Sequence, residues 1–329
     1  MAGAAARPAG PVLIFSGTDD LTVLALAVLL DLALGEPPIR FHPTVWMGRH
    51  ISFVTKWAPK KGFIGLMVGL SIAITLPAIW GTGAYFLSFW LQGFHPIIYI
   101  LVGSALLKST FSVRLLHKEA VLVRGHLERG DMEQVRDRMP SLVSRDPSSL
   151  TAEQATAATV ESVSENINDS FLAPWIFFAL FGLPGAFAYR MINTLDSMIG
   201  YRGVYERLGK ASAKLDDLVN LIPARLAGLL LVAASGFLPG QRMSRAWSIM
   251  WRHHGRTPSP NAGWTMSGMA GALGIQLQKV DPDVGYTLGE PDRPIEPSDI
   301  SRAAQSMYMV GFFGLIMALA IIYIRGSII

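Results

Sequence analysis

No cysteine occurs in the 329 residues, which excludes disulfides, thiolate nucleophiles and cysteine-ligated metals. Charge is scarce as well. Asp, Glu, Lys and Arg make up 16% of the chain and hydrophobic residues 51%, whereas soluble domains carry about 25% charged residues. A deficit spread over the whole chain excludes an ordinary water-soluble fold and points to the bilayer. Strand-like alternation of any length is missing, as is an internal repeat, so the fold class is all-α and the chain a polytopic membrane protein. There is no HExxH zinc motif. Gly203, Gly209 and Lys210 miss the P-loop spacing by one residue, and Ala211 stands where a hydroxyl should follow. The net charge of +4 suits cytoplasmic loops of a membrane protein better than a nucleic-acid partner.

A bilayer span needs roughly 20 mostly apolar residues. Residues 63–80, 96–107 with their flanks, and 307–324 are the clearest. The run 21–34 is short and carries Asp31; the run 218–238 is apolar apart from Asn220 and Arg225 and enters obliquely from a polar start. Residues 171–192 are long enough to cross, but Gly182-Leu183-Pro184-Gly185 interrupts them. That tetrapeptide leaves a straight span and a re-entrant hairpin both open. About five to seven membrane helices result.

Basic residues set the sidedness. Residues 36–61 and 108–169 are rich in Lys and Arg, and 81–95 contain no charged residue, so the first two are cytoplasmic and the third lies outside. Residues 190–216 are also basic, which favours the hairpin for 171–192; the mixed segment 239–306 is not placed by the rule. Residues 1–19 read as a disordered leader and not a signal peptide. Residues 20–329 then form a single helical membrane domain with a cytoplasmic helical insertion at about 108–169. Within the insertion, Thr151 and Gln154 make a capping box opening a helix to about Asn168.

The chemistry concentrates in a few polar stretches. Glu161, Glu165 and Asp169 are four apart, so one helical face presents three carboxylates. Like charges at that spacing destabilise a helix by roughly 0.2–0.5 kcal/mol per pair, so a divalent cation or basic partners should compensate. Hard oxygen ligands suit Mg²⁺, held by one or two carboxylates together with substrate phosphates. A solvated acidic face is the bland reading, but the apolar run from Phe171 makes unpaired carboxylates costly there. Next, Arg190, Asn193, Asp196 and Arg202 crowd the exit of the apolar segment; Asp196 either acts on a ligand or pairs with Arg190 or Arg202. Asp216 and Asp217 point about 100° apart on a helix, one binding while the other caps, or both serving the helix dipole. Asn261 sits ahead of a small-residue helix suited to close packing. His42, before Pro43, is either a ligand or a cap.

The order and wording of these stretches resemble the CobD/CbiB family. The resemblance runs from Asp31 through Gly35-Glu36-Pro37, His42-Pro43 and Ser144-Arg145-Asp146 to Glu161…Glu165-Asn166…Asp169. It continues in Asn193-Thr194-Leu195-Asp196-Ser197-Met198, Asp216-Asp217…Asn220…Pro223-Ala224-Arg225 and Ser259-Pro260-Asn261-Ala262-Gly263-Trp264. It covers about residues 20–290. The resemblance implies an adenosylcobinamide-phosphate synthase, a membrane ligase that joins adenosylcobyric acid to (R)-1-amino-2-propanol O-2-phosphate, or a close relative, with ATP consumed.

Roles follow from chemistry. Glu161, Glu165, Asp169 and Asp196 are assigned to Mg²⁺-ATP. Arg145, Arg190 and Arg202 grip phosphate oxygens, since guanidinium matches them in a fork. Asp216 or Asp217 takes a proton from the attacking ammonium. Asn166, Asn193 and Asn261 orient substrates, and His42, Asn220 and Arg225 complete the binding set. The lipid bilayer is the expected environment, with the site on the cytoplasmic side of the cell (inner or plasma) membrane. A homo-oligomer is left open. Two rival functions remain at this level: a transporter, suggested by Asp31, Asn220 and Arg225 in apolar runs, and an AmpE-like non-enzymatic membrane sensor, which would need none of the carboxylates.

Overall fold

The computed structural model describes residues 17–143, 147–201, 203–279 and 285–328. Helices dominate: α1 (Gly17–Leu34), α2 (Pro43–Lys56), α3 (Gly62–Phe94), α4 (Pro96–Lys108), α5 (Arg114–Glu128), α6 (Met132–Arg138) and α7 (Ala152–Ile167) come first. A π-helical turn at Asn168–Leu172 leads into α8 (Ala173–Ile199). Then follow α9 (Lys210–Val219), α10 (Leu221–Ser235), α11 (Met243–His253), α12 (Ala262–Leu273) and α13 (Ser298–Ile328). Between α12 and α13, β1 (Leu277–Lys279) pairs antiparallel with β2 (Tyr286–Leu288). These two short strands are the departure from an all-helical reading, and they were invisible to a search for alternation because each has only three residues.

Among the described residues, three helical runs are long and apolar enough to cross a membrane by length and composition: α3, the run Ala152–Ile199, and α13. Counting α9 and α10 as one broken span, bent by 49°, makes four, and α4 is a shorter apolar helix. That is fewer than five to seven. α4 has 13 residues, too few alone, and α1 carries Asp19, Asp20 and Asp31 within its 18. α1 begins at Gly17, ahead of the expected boundary at residue 20, so Asp19 lies in its first turn.

Residues 171–192 double back. Gly182 takes φ 64° and ψ −159°, a conformation essentially reserved for glycine. Phe177 and Tyr189 stack with ring centroids 5.0 Å apart, where a straight helix would separate them by about 18 Å. The hairpin, and not the straight span, is what the chain forms. Gly182→Ala should therefore cost about 1–3 kcal/mol of stability, read as a lowered unfolding temperature in detergent; an unchanged midpoint would show that the turn tolerates a side chain.

Polar groups close both ends of the bundle. At one end Asp20 is fully buried, accepts from the Tyr99 hydroxyl at 2.5 Å and pairs with Arg325. Arg325 also donates to Ala179 O at 2.8 Å, capping the descending arm of the hairpin near its break. At the other end the buried Lys108 bridges Asp31 at 3.0 Å and Glu36 at 2.9 Å. Asp31 accepts in turn from the backbone N–H of Val113 and Arg114, opening α5. Breaking a buried pair of this kind costs about 3–5 kcal/mol, so these contacts hold α1, α4 and α13 in register around the hairpin. Thr151 and Gln154 form the expected reciprocal cap at the start of α7.

Candidate active site

α7 and the returning arm of α8 carry most of the site. On α7 the apolar stripe Val160, Val163 and Ile167 is fully buried, which turns Glu161 and Glu165 toward the opposite side. The π turn then inserts extra backbone where α7 meets α8, a feature that often marks functional positions. Asn168 and Asp169, three and four residues after Glu165, lie beside it as the turn begins. α8 returns from the hairpin with Asn193, Asp196 and Ser197 facing the same space.

Two cavities meet on a shared wall of Glu165, Asp169 and Asp196. The larger, about 520 Å³, adds Glu161, Ser162, Asn166, Asn193, Ser197, Tyr201, Lys279 and Tyr286. The smaller, about 270 Å³, adds Asn168, Asp216, Asp217, Asn220, Ser259, Asn261 and Thr265. The segments 161–169, 193–197 and 216–220, distant in sequence, converge here. The acidic character is felt by neighbours: the Tyr201 phenol is pushed up by burial and then by the charges of Asp196 and Glu165.

Asn220 ties the smaller cavity together. Its Oδ1 accepts from Asn168 Nδ2 at 2.8 Å and from the Tyr189 hydroxyl at 2.9 Å, and its Nδ2 donates to Asp216 Oδ2 at 3.0 Å. Asn168 Nδ2 also donates to Asp169 Oδ1 at 2.7 Å. Asn261 is held by its own donation to Asp217 O at 2.8 Å. Asp217 pairs with Lys214 at 3.1 Å, so the adjacent aspartates divide their roles as their helical angle requires. Two acceptors remain over: Asp216 Oδ1 and Asn168 Oδ1 are buried with no hydrogen-bond partner among the described residues. A buried acceptor left unsatisfied costs about 1–3 kcal/mol, so this cavity calls for a donor.

Other candidates stand outside the two cavities. His42 caps α2 by accepting from Thr44 N through Nδ1 and contacts Glu36 through Nε2 at 2.9 Å, so both ring nitrogens are occupied. Burial works to raise the Glu36 carboxyl, but the hydrogen bonds from His42 and Lys108 outweigh it and hold it at about 2. Arg225 lies behind Asn261, donating to its Oδ1 at 3.3 Å, with its guanidinium 5.1 Å from the Trp264 ring. Arg190 makes no ion pair with Asp196 and reaches Asn193 Oδ1 at 3.3 Å. Arg145 and Arg202 lie outside the described residues. Sequence reasoning missed Asn168, Tyr189, Tyr201, Lys279 and Tyr286. The first three stood inside recognised stretches, whereas nothing local distinguished Lys279 and Tyr286.

Gly200 provides a local test of this wall. A Cβ there would collide with Asp196 Oδ1 and lie 2.6 Å from the Asp196 carbonyl. Gly200→Ala should push the Asp196 carboxylate aside and lower turnover by at least about tenfold, some 1.4 kcal/mol, with the protein still folded. Full activity would separate Asp196 from the chemistry.

Among the described residues, no three His, Asp or Glu side chains converge closely enough to hold a metal ion by themselves. The hard oxygen donors of the larger cavity instead suit Mg²⁺ shared with phosphate, one or two carboxylates at a time.

Comparison with known proteins bears on the family. The family profile described as CobD/Cbib protein matches residues 24–307. The cobalamin biosynthesis protein CobD of Dehalococcoides mccartyi is 44% identical over 92% of this chain and 97% of its own length. A probable cobalamin biosynthesis protein CobD of Methanothermobacter thermautotrophicus is 42% identical over 83% of this chain and 88% of its own. No solved structure matches at a significant level. With a profile covering most of the chain and relatives this similar along nearly their whole length, the chain belongs to the CobD/CbiB family of cobalamin biosynthesis proteins.

Proposed function

We propose that this protein is an ATP-dependent amide ligase, joining the propionate carboxylate of adenosylcobyric acid to the amine of (R)-1-amino-2-propanol O-2-phosphate or a close relative. The observation that carries this reading is the pair of chambers on one carboxylate wall, one with a basic residue in its lining and one with none among its described lining residues. Amide formation from a carboxylate and an ammonium is uphill in water, so the carboxylate must be activated. Its oxygen attacks the γ-phosphorus of ATP, the bond to ADP breaks, and an acyl phosphate forms. The amine nitrogen then attacks the acyl carbon, inorganic phosphate leaves, and the nitrogen gives up its proton.

A corrinoid is far larger than the 520 Å³ chamber, so its propionate arm and the triphosphate enter while the macrocycle stays outside. One or two at a time of Glu161, Glu165, Asp169 and Asp196 would hold Mg²⁺ together with the phosphates, and the ion would neutralise phosphate charge when bound. Lys279, at the larger chamber's rim, offers a cation to the phosphate oxygens, and positioning with charge neutralisation is most of what phosphoryl transfer requires.

The smaller chamber has no Lys, Arg or His among its described lining residues. Its leftover acceptors, Asp216 Oδ1 and Asn168 Oδ1, match the N–H donors of an ammonium group. Asp216 is the group best sited to receive the amine's proton. The test is direct: purified protein, adenosylcobyric acid, the amino alcohol phosphate and Mg-ATP, with mass spectrometry of the corrinoid. ATP-dependent adenosylcobinamide phosphate is the expected product. Substrate flux into vesicles without amide formation would favour a transporter, and carboxylates inert to substitution would favour a sensor.

A further inference from the structure

By length and composition, α9 and α10 together pass as a broken span. Contacts with α13 argue otherwise. α13 is a long apolar helix whose last turns meet Asp20 and Ala179 at one end of the bundle, so its axis runs across the membrane. α10 starts next to Asn220, which bonds Asn168. Three residues beyond Asn168, Phe171 lies against Gly311 of α13. Past the other end of α10, the Phe237 ring packs on Phe313 of α13, with centroids 5.6 Å apart. Positions 311 and 313 differ by about 3 Å along a helix, while the 15 residues of α10 extend about 22 Å. α10 therefore packs on α13 while crossing it at an angle. The chain after it returns toward the α13 start: Gln241 donates to Arg302 O at 3.3 Å and accepts from Ser306 at 3.0 Å, opposite the Arg325 end.

The outward faces are apolar. Ile222, Leu229 and Phe237 are exposed on and after α10, while Ala227, Leu231 and Ala234 are buried. On α11 the exposed surface splits into two stripes. Met243, Trp247 and Trp251 recur every four residues, and alongside them run Ser244, Ser248 and Arg252. Trp at such a border marks the headgroup level of a bilayer. The apolar stripe is continuous through Phe237 with exposed Phe312 and Ile316 on α13, the surface any crossing helix offers to lipid.

We infer that α10 and α11 form an in-plane platform seated in the cytoplasmic leaflet, with phospholipid as the occupant of their outward face, and that α10 does not cross the membrane. Asn220 and Asn261 then stand at the membrane surface, held from below by this platform. The inference holds whichever substrate the site takes.

The absence of cysteine makes the test clean. Pro239→Cys, just past α10, and Gly93→Cys, at the α3–α4 turn, are each treated in intact cells with a membrane-impermeant maleimide and again after lysis. Gly93→Cys should react from outside and Pro239→Cys only after lysis; reaction of Pro239→Cys from outside would make α10 a span and overturn the inference. Spin labels on Leu229→Cys, Met243→Cys, Trp247→Cys and Ser248→Cys, in anionic phospholipid vesicles, then report depth. The first three should meet dissolved oxygen more than a water-soluble nickel chelate, and Ser248 the reverse. Equal exposure of all four to the chelate would sink the idea. So would dipolar broadening at Trp247, because a second copy would then occupy the face.

Discussion

Glu165→Gln is expected to abolish ATP-dependent amide formation, lowering product by about a thousandfold or more, roughly 4 kcal/mol in transition-state terms. Glu165 lines both chambers, so it is the one α7 carboxylate that faces the phosphate side and the amine side together. The amide is nearly the same size, so packing against α8 is kept and only the charge disappears. Membrane insertion and the unfolding midpoint should hold steady. The loss must appear in turnover measured at saturating ATP, not only in the Michaelis constant, because a group that stabilises developing charge acts on the transition state. Product formed at the native rate would remove Glu165 from the mechanism and, with Glu161→Gln also inert, would turn the reading toward a non-catalytic membrane protein.

Much of the site was legible because helical periodicity is a local property. Glu161, Glu165 and Asp169 fall on one face by spacing alone, and Phe171 onward showed that this face meets an apolar environment. The Gly182–Gly185 interruption marked the hairpin, since backbone preference needs no tertiary context; whether it turned or crossed required the Phe177–Tyr189 contact. The span count was less legible. Hydropathy measures what a helix touches and not where its axis points, and α9 and α10 pass as a span only when joined across a 49° bend. Asn168 falls on the carboxylate face by spacing alone, seven residues after Glu161 and three after Glu165, and was missed because attention went to the charged groups beside it. Lys279 had no local signal: its place depends on a three-residue strand pairing that only the folded chain establishes. For His42, ligand and cap were equally open in sequence, and the Thr44 N–H decides for the cap.

Asp216→Asn addresses the smaller chamber alone. The substitution keeps the acceptor toward Asn220 Nδ2 and removes the negative charge from a cavity whose described lining offers no cation. An ammonium ligand loses a charge-assisted partner, worth about 1.5–3 kcal/mol. The Michaelis constant for the amino alcohol phosphate should rise by at least about tenfold, while that for ATP stays put. A lower turnover number should accompany it if Asp216 also receives the amine's proton, and raising the pH should then restore part of the rate by supplying the free amine from solution. Equal increases for ATP and amine would mean that the two chambers work as one undivided pocket. An effect confined to ATP would exchange the assignments, putting the nucleotide against Asp216 and the amine beside Glu161.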